Sequence, residues 1–142
     1  KMKILKIISF FILTIFFSHN LNANNSYFNE GIILFEKKNF EKAKFKFEQD
    51  LVYNPKSEKS YLYLSKIFNF QKKLKLEEQN LDAVILLNPK NEEALYNLAK
   101  LNLNESDYKE SKRIIKQLLS FCKNYCQKSK KLKVEIDNSL KK

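Results

Sequence analysis

Between residues 25 and 140 the apolar positions recur every three or four residues, the spacing that keeps one face of a helix continuous. Tyr27, Phe28, Gly31, Ile32, Leu34 and Phe35 mark a helix over 25–38. Asn39 breaks the run and suits the N-cap of a second helix, 40–53, with Phe40, Ala43, Phe47 and Leu51 on one face. Asn54-Pro55 stops it, because the residue before a proline avoids helical angles. Ser57 is the expected N-cap of a third helix, 58–71, with Tyr61, Leu64, Ile67 and Phe68 facing inward. A fourth spans 74–87, and Asn91 caps a fifth whose Glu92 and Glu93 complement the positive end of the helix. Asp107 opens the sixth, and Glu110 three residues later completes the spacing of a capping box. The last segment, 125–140, has one narrow apolar stripe: Tyr125, Ser129, Leu132, Ile136 and Leu140. Lys128, Lys130, Lys131 and Lys133 lie on its other side. With one glycine and two prolines in 142 residues, little interrupts these helices, and an all-helical fold with short connections follows.

The two prolines share a tripeptide, Asn54-Pro55-Lys56 and Asn88-Pro89-Lys90, 34 residues apart. Small residues keep the same register at Gly31, Ser65 and Ala99, and again at Ala43 and Ser111. They are small where one helix is expected to cross its neighbour. This period resembles the tetratricopeptide repeat, a helix–turn–helix unit with the pattern W-x2-L-G-x2-Y, then A-x3-F, then P. In the first unit Tyr27, Gly31, Leu34, Ala43, Phe47 and Pro55 take those places, and Glu30 departs from the expected Leu. The second unit matches at Tyr61, Leu64, Ser65, Phe68, Leu81 and Pro89, with Glu77 where a small residue is expected. The third matches at Leu95, Leu98, Ala99, Ser111 and Ile115, while Asn102 and Lys123 depart.

The resemblance implies an all-α, right-handed α-solenoid of three repeats (24–57, 58–91 and 92–125) closed by a C-terminal capping helix, 126–142. One unit cannot bury its own apolar face, so about three and a polar cap are needed. In this family the first helix of each repeat lines a groove for a peptide or a partner helix. The matching positions here are Phe28, Ile32 and Phe35, then Lys59, Leu62, Lys66 and Phe70, then Tyr96, Lys100 and Leu103. Lys66 and Lys100 fall on one row of adjacent repeats, where together they would hold a carboxylate. The expected ligand is therefore a segment with an apolar anchor and an acidic group. The other reading has Phe28 and Phe35 packing against the cap or a second copy of the chain, and the lysines solvated. The family's carboxylate clamp is not reproduced, since Phe28 and Ile32 stand in its first-repeat positions, so a cytosolic reader of chaperone tails is not supported.

The first 23 residues change the compartment. Lys1, Lys3 and Lys6 precede an 11-residue apolar run, Ile7 to Phe17, and a polar stretch ends Leu21-Asn22-Ala23. This is the layout of a secretory signal peptide over 1–23, with cleavage expected after Ala23 and a periplasmic mature protein. The run is shorter than the roughly 20 residues of a membrane span. An uncleaved form held at the membrane as part of an envelope assembly, secretion or cytochrome maturation complex is the alternative. Cleavage removes three lysines, no acid, and the one histidine, His19, so the charge falls from +11 to +8.

Cys122 and Cys126 form a C-x3-C pair where the sixth helix gives way to the last. In an oxidising compartment they form either a disulfide, which requires a real break in the helix, or two free thiols. Zinc lacks ligands, and no other metal or cofactor site stands out. The basic charge is nearly all lysine, with Arg113 the only arginine, and Asn is abundant at 16 residues. Nucleic-acid readers rely on arginine's planar fork, so the charge argues for a solvated surface rather than a nucleic-acid site. Without histidine in the mature chain, a glycine-rich phosphate loop or a paired-carboxylate constellation, no enzymatic reading is selected. The sequence points to an exported scaffold of the cell envelope whose partner is another protein.

Overall fold

A computed structural model describes residues 24–141 as seven α-helices. They are α1 (Asn24–Glu36), α2 (Phe40–Tyr53), α3 (Glu58–Phe70), α4 (Leu74–Leu87), α5 (Glu92–Asn104), α6 (Tyr108–Leu119) and α7 (Cys126–Ser139). Each expected helix is present; α2, α3 and α4 match the anticipated bounds to within one residue, while α7 stops at Ser139, short of the 142 expected for the capping helix. The export segment, 1–23, lies outside the described residues.

The period is built into the turns. Lys38, Lys72 and Ser106, each 34 residues from the next, have left-handed backbone with φ of 58°, 56° and 67°. The N–H of Lys38 donates to the Phe35 carbonyl and that of Asn39 to the Leu34 carbonyl, both at 2.9 Å. Lys72 and Lys73 repeat this on Asn69 and Phe68, and Ser106 and Asp107 repeat it on Leu103 and Asn102. Each turn satisfies the orphan carbonyls at the end of a first helix and reverses the chain into the second. Glycine usually holds the left-handed place; here lysine and serine do.

Three caps form as expected. Side-chain oxygens of Asn39, Asn91 and Asp107 accept from the N–H groups of Lys42 (3.4 Å), Ala94 (2.8 Å) and Glu110 (3.0 Å). Two expectations need correction. Ser57 occupies the N-cap of α3 without a side-chain cap bond; its hydroxyl turns to the fully buried hydroxyl of Ser60 at 3.0 Å, which would otherwise lack this contact. The capping box at Asp107 is only half made. Its N–H is already engaged by the Asn102 carbonyl, and the Glu110 carboxylate instead takes the Arg113 guanidinium at 2.6 and 2.7 Å.

The chain divides into two compact units at Pro55. In the first, α1 packs on α2 around Ala43 and Phe47, both fully buried. Gly31 lies directly beneath the Phe47 ring: a Cβ there would sit 2.6 Å from ring carbon Cε1. The second unit has a core from α4 to α7, including Leu81, Val84, Leu95, Ile114, Ile115 and Leu118. Ala99 meets α6 so closely that the buried Ser111 hydroxyl donates to its carbonyl at 2.6 Å. Leu132 and Ile136 of α7 join the same core, with Ser129 buried beside them. Glu77 is buried where the repeat calls for a small residue, and Asn69 donates to both its oxygens at 2.9 and 3.0 Å. Burial holds its pKa above the ordinary 4.5, with the charge of Glu105 adding to the shift and the Asn69 bond opposing it.

Gly31→Ala gains helix propensity worth about 1 kcal/mol, but it drives a methyl into a buried ring, and such overpacking costs about 1–3 kcal/mol. The expected outcome is a net loss of stability, seen as a lower urea midpoint. An unchanged or higher midpoint would mean that Phe47 has room to move.

Candidate functional site

On α3, Ser60, Leu64, Ser65, Ile67 and Phe68 are buried, which turns Lys59, Leu62, Tyr63 and Lys66 to the other side. On α5, the buried set is Ala94, Leu95, Leu98, Ala99, Leu101 and Asn102, leaving Glu93, Tyr96, Lys100 and Leu103 outward. The two outer faces make one surface, because Lys66 Nζ meets the Glu93 carboxylate at 2.8 Å. The same ammonium lies 4.7 Å over the Tyr63 ring. Leu62, Tyr96 and Leu103 are half-buried, resting on the core with their outer edges in solvent. Lys59 and Lys100 are exposed, and Phe70 is 61% exposed at the end of α3.

Tyr125, just before α7, closes one end of this face. Its ring lies 5.5 Å from that of Tyr96, and its phenol lies within reach of the Glu93 charge. Burial first, and the Glu93 charge second, raise its pKa above the ordinary 10.0. Lys128 Nζ sits 5.1 Å over the outer side of the ring.

The support beneath is a carboxylate at the first position of α3 and of α5. Glu92 accepts from the backbone N–H groups of Lys123, Asn124 and Tyr125, each at 2.8 Å. Glu58, 34 residues earlier, accepts from the side-chain amides of Asn88 (3.0 Å) and Asn91. Within the turn that Glu92 holds, Cys122 and Cys126 are joined by a disulfide with Cα atoms 5.3 Å apart. The helix break that such a bond requires is present, since α6 ends at Leu119 and α7 begins at Cys126. In chain-entropy terms so short a ring is worth about 2 kcal/mol. Asp137 ties α7 to α6 through Lys112 at 2.7 Å and to its own helix through Lys133 at 2.7 Å. These two partners pull its pKa down to about 2.

The sequence-derived site residues thus separate. Lys59, Leu62, Lys66, Tyr96, Lys100 and Leu103 share the α3–α5 face. Phe28 and Phe35 belong to the first unit and pack within its own hairpin, with rings 5.8 Å from Phe47 and 5.4 Å from Phe40. Ile32 is half-buried there. The paired-lysine idea changes most: Lys66 already has a carboxylate, from Glu93, so Lys100 does not share an empty site with it. Glu93 falls on the row of Lys59 that the repeat register already sets beside the groove, but its pairing with Lys66 was not anticipated, and neither was the place of Tyr125 and Lys128 at the end of this face. The one available signal was that Glu93 occupies the place of Lys59 one period later, with opposite charge. Among the described residues no group of three or more His, Cys, Asp or Glu converges as a metal site would. Nor is any described helix long and apolar enough to cross a membrane.

Solved structures with the same helix arrangement are tetratricopeptide domains. The first TPR of Spaghetti (RPAP3), bound to the HSP90 peptide SRMEEVD, superposes with a TM-score of 0.76 at 13% identity, over 84% of this chain and 94% of that one. The TPR2B domain of yeast Sti1, in a complex with Hsp70, gives 0.73 at 11% identity, over 81% and 96%. Pseudomonas aeruginosa pilF gives 0.74 at 17% identity, covering 84% of this chain but 54% of that one. The fold is therefore an all-α helical repeat of the tetratricopeptide type. No family model and no curated protein matches the chain in sequence.

Backbone N–H groups, that of Tyr125 foremost, hold the Glu92 carboxyl below its ordinary 4.5. A folded value below the unfolded one stabilises the fold above the ordinary value, and that stability is lost as pH falls through the folded value. Glu92→Gln should therefore lower the urea midpoint at neutral pH, and the gap to the parent chain should close as acid protonates Glu92. A gap of constant size down the acid range would show that the charge is not what holds the turn.

Proposed function

We propose that this chain is a protein-interaction module of the cell envelope that holds a segment of another protein on the α3–α5 face. The observation that carries this is the joined strip in which half-exposed Leu62, Tyr96 and Leu103 alternate with Lys59, Lys66 and Lys100. Apolar edges resting on a rigid core supply anchoring area with little side-chain entropy left to lose. Lys59 and Lys100 make no ion pair among the described residues and add positive charge beside the anchors. The segment that fits has an apolar side chain and an acidic group. Its carboxylate would take Lys100 or Lys59 and compete with Glu93 for Lys66. The peptide-bound neighbours support the general mode, since both present helical repeats of this fold to a partner chain.

Export is part of the proposal. The charged and apolar halves of residues 1–23 favour it, and a disulfide between Cys122 and Cys126 suits an oxidising compartment. Catalysis has no place in this reading.

A photo-crosslinking residue at Leu62 or Tyr96 is expected to give discrete adducts in cells, and one at Leu86, 83% exposed on α4, is not. Lys66→Glu with Lys100→Glu should cut the adduct yield roughly tenfold with helicity intact, as charge reversal at a complementary interface does. Adducts that persist at full yield in that variant would remove this face from the function. N-terminal sequencing of the cell-derived protein should begin at Asn24; a start upstream of the apolar run would favour the membrane-held form.

A further inference from the structure

We propose that the Cys122–Cys126 bond is a redox-addressable lock on the α3–α5 face, closed in the disulfide form and opened by an external dithiol. The inference rests on the reading of that face as the partner surface. Its basis is what lies inside the ring. Residues 122–126 contain all three N–H groups that Glu92 holds, those of Lys123, Asn124 and Tyr125. They also contain Tyr125, whose ring packs on Tyr96, the residue that follows Glu93 by three on the outer face of α5. Glu93 in turn holds Lys66. One covalent bond therefore fixes the three donors and the tyrosine that closes the face beside the Glu93–Lys66 pair.

Both cysteines are half-buried, and the ring lies in the open turn between α6 and α7. A thiolate of the dithiol attacks one sulfur to give a mixed disulfide, and its second thiolate displaces the remaining cysteine. The S–S bond of the protein breaks, its two sulfurs take up two electrons and two protons, and the reductant leaves as a disulfide. A disulfide oxidant runs the same exchange backwards. Once the ring opens, residues 122–126 lose the constraint that aims three N–H groups at one carboxylate. The body of α7 stays in place, because Ser129, Leu132 and Ile136 are buried and Asp137 still holds Lys112 at 2.7 Å. The change is thus confined to the turn and the face it closes.

Hydrogen exchange on the full mature chain tests the lock. With the disulfide intact, amides 123–125 should be protected; dithiothreitol, or the Cys122→Ser with Cys126→Ser variant, should speed their exchange about tenfold or more while core amides of α5 and α6 hold. Reoxidation should restore protection in the parent chain and not in the variant. Equal exchange in the two redox states overturns the proposal. Adduct yield from the crosslinker at Leu62 is the second readout, expected to fall several-fold in the double-serine variant. Loosened amides with an undiminished adduct yield also overturn it and leave the partner face standing. Absence of adducts from the parent chain as well as the variant sinks the partner face itself, and the lock with it.

Discussion

The second unit depends on a carboxylate at the first residue of a first helix gripping the turn one repeat later. Glu58 does this through the side chains of Asn88 and Asn91, and Glu92 does it through three backbone N–H groups. A turn before a helix carries donors with no partner in the helix, and an ionised acceptor satisfies them with bonds stronger than neutral ones. The apolar core alone would let consecutive helix pairs slide, since burial is not directional. The carboxylates fix where one pair begins relative to the next. Glu92 acts on the turn that delivers Tyr125, so the same contact that sets the register also completes the candidate face.

Magnitudes decide how that face behaves. The Lys66–Glu93 pair is close at 2.8 Å, but its side chains are 26% and 32% exposed, so it is worth about 1 kcal/mol or less. A partner carboxylate can therefore displace Glu93 at small cost. The pair orients Lys66 before binding and does not lock it. Leu62, Tyr96 and Leu103 are different, because their inner edges are packed on the core and cannot yield without opening it. Rigid apolar anchors beside exchangeable charges are a sound basis for recognising a segment of another chain.

Much of the fold was legible because it depends on patterns local in sequence. Helix bounds follow from apolar spacing, and the register follows from Pro55 and Pro89 and from Gly31, Ser65 and Ala99. The left-handed turns at Lys38, Lys72 and Ser106 were invisible because none is the glycine that such backbone favours. Ser57 and Asp107 show a second limit: a cap depends on what else competes for its atoms. The face was legible in its rows, since residues 34 apart align, but not in its pairings. Lys66 with Glu93, Glu92 with Tyr125, and Tyr96 with Tyr125 join different elements, and single positions carry no mark of such contacts. Phe28 and Phe35 were placed on the right helix, yet their rings pack within the hairpin against Phe47 and Phe40.

Charge on Glu92 is what holds the turn before α7. Its carboxyl carbon, followed by NMR through an acid titration of the disulfide-bonded chain, tests this most directly. The midpoint should fall below the ordinary 4.5, with the amide signals of Lys123, Asn124 and Tyr125 moving in step. A midpoint at the ordinary value, with those three amides indifferent to it, would contradict it.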